Sequence, residues 1–290
     1  MKPSLKMRVL TAAVGVPVIV LILLAPTWVM LCTVILCSLI GIYEFYDAVN
    51  MKKEVPLLCL FGFLGTVILP LCAFLLPKQI LTCAYGYLVI LFLAMLGSNR
   101  KIMITDVAML IISLIYIPFM LSHLLFIRRL DFGNILVWLV FLGAFMTDSC
   151  AFFAGKLFGK HKLCPNISPK KTIEGAVGGV IGCGLGFLLF AFIINTFISA
   201  YIGGAEMSYM LMFILGVIAS FVAQIGDLTA SLIKRQFGIK DFGKMFPGHG
   251  GMLDRCDSII MVAPVVFIFA AQISSVSYTH LRAHETRGNL

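Results

Sequence analysis

The chain has 290 residues, of which 61% are hydrophobic and only 12% charged, and its formal charge is +9. A soluble globular domain holds roughly 45–50% apolar and about 25% charged residues, so that class is excluded and an all-α, polytopic integral membrane protein is expected. In such a chain a basic excess reflects Lys- and Arg-rich cytoplasmic loops, so no nucleic-acid partner is inferred from it.

Apolar runs predict nine transmembrane helices, at about 9–25, 27–50, 55–77, 79–97, 103–127, 133–158, 175–199, 207–235 and 258–275. The first run leads into a second, so it is read as a retained helix rather than a signal peptide. Breaks fall at Pro26, at Lys52-Lys53, around Lys78, at Arg100-Lys101 and at the Arg128–Gly133 turn. The two longest polar stretches are 159–174 and 236–257. With the N-terminus cytoplasmic, 17 of the 22 Lys and Arg residues fall inside, three fall outside (Lys78, Arg128 and Arg129) and two lie in the terminal stretch. That asymmetry favours N-in and puts both polar stretches on the cytoplasmic face. Arg128 and Arg129 are exceptions to it.

After residue 275 the sequence is polar, without an apolar helical stripe, and resembles adapter read-through. Residues 276–290 are therefore expected to be a non-native tail. The remainder is expected to form a single transmembrane domain, with N-terminal helices over 1–130 and a catalytic half over 131–275. The nine cysteines lie mostly within apolar runs and form no C-x-x-C pair, so buried reduced thiols are expected.

The chemistry concentrates in a few places. Asp148 and Asp227 lie inside apolar helices, where a charge costs several kcal/mol unless it faces a partner or a water-filled cavity. Glu44 and Asp47 make a similar pair, but Lys52 and Lys53 follow closely, so both are expected at the membrane interface. Between Ser231 and Asp257 the chain carries Lys234, Arg235, Lys240, Asp241, Lys244, the run Pro247-Gly248-His249-Gly250-Gly251, and Asp254-Arg255-Cys256-Asp257. Carboxylates three apart can share one side of a helix start. Hard oxygen ligands of this kind suit Mg²⁺, and the cations suit phosphate oxygens. The glycine-rich run is expected to bring backbone N–H groups close to a phosphate. Ser168-Pro169-Lys170-Lys171-Thr172-Ile173-Glu174-Gly175 adds two cations, with Ser168 or Thr172 placed to cap the next helix. Gly175, Gly178, Gly179, Gly182 and Gly186 recur along one span and predict close helix packing. Gly238–Met245 approaches a P-loop, but Met245 replaces the required Ser or Thr, and that reading is rejected.

The stretch Ser231–Asp257 resembles the signature of the phosphatidate cytidylyltransferases, S-x-x-K-R-x4-K-D-x-G-x3-P-G-H-G-G-x2-D-R-x-D, over 27 consecutive positions. Cys256 departs from it, since the family usually carries a larger aliphatic residue there. Thr147-Asp148 and Ser168–Gly175 also resemble family segments. The resemblance implies that CTP and phosphatidate react with Mg²⁺ to give CDP-diacylglycerol and pyrophosphate, at the inner face of the plasma membrane. It implies Asp227 and Asp254 as metal ligands, with Asp257 and Asp148 as further ligands or as partners that hold them. Lys170, Lys171, Lys234, Arg235 and Lys240 would bind phosphates, with Ser168, Thr172, Glu174, Ser231, Asp241, Gly250, Gly251 and Arg255 completing the substrate site. His249 would position a phosphate or the loop. The reading leaves room for a second cation and for a homodimer. Two rival classes stay open: a transporter, which needs no His-Gly-Gly-x2-Asp-Arg loop, and a CTP-dependent polyprenol or phytol kinase.

Overall fold

The computed structural model describes residues 5–98, 101–198, 206–245 and 250–288, with side chains described between 13 and 272 apart from 53 and 54. Among the described residues there are eleven α-helices: α1 (Leu5–Leu24), α2 (Thr27–Ala48), α3 (Met51–Glu54), α4 (Pro56–Leu75), α5 (Ile80–Gly97), α6 (Ile104–Leu114), α7 (Met120–Arg128), α8 (Gly133–Phe158), α9 (Ile173–Ile193), α10 (Tyr209–Gln236) and α11 (Leu253–Gly288). Among the described residues seven helical stretches are long and apolar enough to cross a membrane, from Thr27–Ala48 to Tyr209–Gln236, and Ala13–Leu24 is a shorter apolar helix. Backbone groups in lipid must be satisfied within the segment, so long apolar runs become continuous helices.

Two features depart from the expected layout. A short antiparallel hairpin, β1 (Lys162–Cys164) and β2 (Ser168–Thr172), joins α8 to α9, with Lys162 opposite Thr172 and Cys164 opposite Ser168. And α11 begins at Leu253 rather than near 258, because Asp254 and Asp257 occupy its first turns instead of a loop. Acidic residues are favoured there by the exposed N–H groups and the helix dipole.

The chain divides into two compact units. The first comprises Met1–Phe126 with Ile225–Ile260. Its core is built around Tyr46, fully buried, whose hydroxyl lies 3.1 Å from that of Ser113. Gly62 of α4 is required at this contact, since a Cβ there would sit 2.7 Å from the Tyr46 ring. Between α6 and α7 the helix widens into a π-turn over Ile115–Phe119 around the buried Pro118. Proline has no N–H to donate to the preceding turn, and the wider turn absorbs that loss.

The second unit comprises Ile127–Gln224 with Met261–Leu290. Here α8 and α9 pack at backbone distance. A Cβ on Gly179 would lie 3.1 Å from the Thr147 carbonyl, and one on Gly186 would lie 3.0 Å from Met146 Cε. The glycine stripe of α9 is therefore a packing surface, as its spacing implies. Gln224 Nε2 donates to the Ala176 carbonyl at 3.1 Å, tying α10 to α9. At the turn before α8 the Arg128 guanidinium donates to Asn134 Oδ1, across a corner where Phe132 is left-handed at φ 59°.

Candidate active site

Helix α10 sets the first frame. Asp227, Ser231 and Lys234 follow at intervals of four and three and so share one face. The helix closes on Gly238, at φ +67°, with the Gly238 N–H donating to the Arg235 carbonyl and the Ile239 N–H donating to that of Lys234 at 2.9 Å. This paired C-terminal closure needs a left-handed residue, which glycine supplies without strain.

The loop that follows is folded onto one carboxylate. Asp254, 7% exposed, accepts the Lys234 ammonium on Oδ1 at 2.6 Å. Its Oδ2 accepts the backbone N–H groups of Phe242 at 2.9 Å and Gly251 at 3.0 Å. Charge-assisted hydrogen bonds of this kind are the strong ones, and burying the pair without them would be costly. Gly250, at φ +85°, makes the approach feasible, because a Cβ there would fall 2.9 Å from Asp254 Oδ2. The Phe242 ring, buried in the loop, stacks obliquely on Phe45 of α2 with centroids 6.4 Å apart.

A second carboxylate holds the same segment. Glu44 of α2, 6% exposed, accepts the Met252 N–H on Oε1 and the Leu253 N–H on Oε2, each at 3.0 Å. Glu44 is thus a buried tertiary contact rather than a residue set apart by Lys52 and Lys53, whereas the Asp47 side chain is 70% exposed and pairs with Lys52 at 3.2 Å. A signal was present in the sequence, since Glu44 lies among Tyr43, Phe45 and Tyr46 inside the apolar run, whereas Asp47 lies nearer the helix end. The N–H groups of Gly251, Met252 and Leu253 are thus engaged by the protein's own carboxylates rather than turned toward a ligand.

Asp257 is buried one turn beyond Asp254, and its Oδ1 accepts the N–H of Ser258 at 2.8 Å. Tyr116 lies in the π-turn of the same unit. Its hydroxyl is buried and makes no hydrogen bond among the described residues. Arg235, Lys240, Asp241 and Arg255 are exposed. His249, with residues 246–248, lies outside the described residues.

The second unit carries the remaining residues. Asp148 lies on an exposed face of α8. In the hairpin, Thr172 caps α9 by accepting the Gly175 N–H at 3.1 Å, one of the two caps expected there. Glu174 accepts the His161 backbone N–H at 3.2 Å and lies 2.6 Å from His161 Nδ1, closing β1 onto the start of α9. Ser168 is half-buried, Lys170 is exposed and Lys171 half-buried; neighbouring strand positions face opposite sides of the hairpin.

Chemically, the first unit offers hard oxygen donors: Asp227, Asp257 and the second lone pair of Asp254 Oδ1. Among the described residues no three His, Cys, Asp or Glu side chains converge into a complete metal cage. Mg²⁺ is usually held by one or two carboxylates with water and phosphate oxygens filling the other positions, so this donor set fits it.

The chain matches the cytidylyltransferase family over residues 6–273. It is 40% identical over 186 residues to the phosphatidate cytidylyltransferase of Rickettsia felis, covering 64% of this chain and 81% of that protein. It is 33% identical over 279 residues to the phosphatidate cytidylyltransferase of Thermotoga maritima, covering 91% and 96%. With the enzyme of the same name from Staphylococcus saprophyticus it shares 33% identity over 278 residues, covering 93% and 100%.

Proposed function

Because the chain belongs to the cytidylyltransferase family, we propose how its residues divide the work of the reaction. The protein transfers a cytidylyl group from CTP to phosphatidate, giving CDP-diacylglycerol and pyrophosphate in phospholipid synthesis. A phosphatidate oxygen attacks the α-phosphorus of CTP in line, the bond from that phosphorus to the bridging oxygen breaks, and pyrophosphate leaves. A phosphate monoester is already ionised near neutral pH, so the nucleophile needs orientation rather than a base. The residues therefore act by holding and neutralising phosphates.

The Asp254 clamp carries this reading. Two backbone N–H groups fix one carboxylate oxygen, and the other is shared with the Lys234 ammonium, so opposite charges stand side by side at the start of α11. Asp227, Asp254 and Asp257 are the side chains that would hold Mg²⁺, with substrate phosphates completing the shell and Asp148 as a further partner. When bound, the ion would neutralise triphosphate charge and polarise the α-phosphoryl group. Lys234 keeps two N–H donors beyond the one facing Asp254, and these would meet a phosphate oxygen. Arg235, Lys240 and Arg255, exposed near the same loop, and Lys170 and Lys171 of the hairpin would bind the remaining phosphate charge. His249 would position the loop or a phosphate.

The catalytic face is cytoplasmic in this proposal, with nine spans and the N-terminus inside the plasma membrane; the basic-residue asymmetry supports it. Cysteines placed at 165 and 245 should react with an impermeant thiol reagent only from the cytoplasmic side. Labelling of either from outside intact cells refutes the topology. The reaction itself is tested with purified protein, labelled CTP and phosphatidate: CDP-diacylglycerol is the expected product. CTP turnover that phosphorylates a lipid alcohol instead would assign the protein to the lipid kinases.

A further inference from the structure

A carboxylate buried in the last turns of an apolar helix needs strong partners or a task. Glu44 has the partners, and they belong to the segment that carries the reaction's carboxylates. Its two oxygens take the N–H groups of Met252 and Leu253, the first free donors of α11, at 3.0 Å each. These bonds span more than 200 residues, so they act as a tertiary clamp and not as a local cap.

The glycines of the loop are shaped around this carboxylate. A Cβ on Gly251 would lie 2.6 Å from Glu44 Cδ, inside van der Waals contact, and a Cβ on Gly243 would overlap the same group. The rest of this face of α2 continues the seat. Gly41, one turn earlier, faces Leu253, where a Cβ would stand 3.8 Å from Leu253 Cδ1, and Phe45 meets Phe242. Glu44 therefore sits in a cradle formed by Gly243, Gly251 and the first N–H groups of α11.

We infer that Glu44 is a positioning residue for the reaction: it holds the N-terminus of α11, and with it the directions in which Asp254 and Asp257 point. The inference rests on the reading of those two aspartates as reaction carboxylates. Without the clamp, the α11 start would regain freedom while Asp254 kept its own contact to Lys234, so the reacting groups would lose alignment rather than identity.

The test uses the full chain in detergent and two readouts. Product formation from labelled CTP and phosphatidate gives kcat and KM, and deuterium exchange of the peptide covering 250–257 reports the clamp. Glu44→Gln keeps the side-chain size but sets an NH₂ donor against a backbone N–H. Exchange at Met252 and Leu253 should become roughly tenfold faster. The turnover kcat should fall roughly ten- to a hundredfold while KM for CTP changes by less than about threefold. Unchanged exchange overturns the clamp, and faster exchange with unchanged kcat overturns the positioning role. A wild-type chain that makes no CDP-diacylglycerol would instead refute the reaction reading, while the exchange data would still decide the clamp. Gly251→Ala supplies an independent arm, because its methyl group collides with the Glu44 carboxylate. It should cost about tenfold or more in kcat alone and less than about threefold when added to Glu44→Ala. An equal loss in both backgrounds overturns the inference. Should Glu44→Gln yield no folded protein, Glu44→Asp, which keeps the charge but falls one methylene short, is read by the same outcomes.

Discussion

The two polar stretches of this chain both carry charged residues, and they differ in architecture. In the hairpin region, 159–174, the polar side chains are satisfied locally: Thr172 by Gly175 three residues on, Glu174 by His161 thirteen residues back. In the 236–257 region the holding bonds come from further away: Asp254 takes the ammonium of Lys234 twenty residues back, and α2 supplies Glu44 to Met252 and Leu253 across more than 200 residues. Local bonds shape a segment wherever it sits. Long-range bonds fix where charged groups point relative to another helix, and a phosphoryl-transfer site requires that kind of alignment.

The sharpest way to break this comparison is to neutralise a carboxylate proposed to hold the metal. Asp227→Asn and Asp254→Asn should each lower kcat by about two to three decades, the several kcal/mol that charge neutralisation supplies at about 1.4 kcal/mol per decade. Steady-state turnover at saturating Mg²⁺ measures it, and near-wild-type activity in either variant removes that residue from the metal's ligands. Asp254→Asn should also lower the melting temperature, since it leaves the Lys234 ammonium without its buried counter-charge.

A smaller effect is expected from a cation at the rim of the same region. Lys240 is exposed, so its charge is not needed to hold the fold. Lys240→Ala should leave the melting temperature in detergent nearly unchanged and weaken kcat/KM for CTP by roughly ten- to a hundredfold, equivalent to about 1.5–3 kcal/mol for a charged hydrogen bond. A destabilised variant with normal kcat/KM would sink the phosphate contact.

The hairpin should answer differently. Thr172→Ala removes a helix cap and should cost about 1 kcal/mol of stability, read as a lower melting temperature. If the larger effect falls on CTP kinetics with stability intact, the local-architecture account of this stretch fails. The smallest effect belongs to the exposed pair Lys52–Asp47, where Lys52→Ala should change stability by less than about 1 kcal/mol. A larger loss would place that pair in the fold's framework alongside Glu44.

Much of this was legible from contiguous residues. Pro26 separates α1 from α2 where expected, and the Arg128–Gly133 turn falls between α7 and α8. The glycine stripe of α9 packs as its spacing implies. The hairpin was not legible, because strands of three and five residues with Pro169 and adjacent lysines carry no alternating pattern. Asp254 and Asp257 were read at a helix start, but the apolar run alone bounded the span at 258, and α11 begins at Leu253 because acidic residues favour a helix N-terminus.

What the sequence alone determined is what depends on runs and spacing: apolar lengths that make membrane helices and a 27-residue signature that points to the reaction. Only the tertiary structure decided the fate of two acidic residues three apart on α2. Asp47 is exposed and pairs with Lys52, while Glu44 is drawn to the unsatisfied N–H groups of a helix more than 200 residues away. The physical reason is that a buried charge is tolerable only where donors converge on it, and those donors exist only once α11 and its two close-fitting glycines are folded against α2.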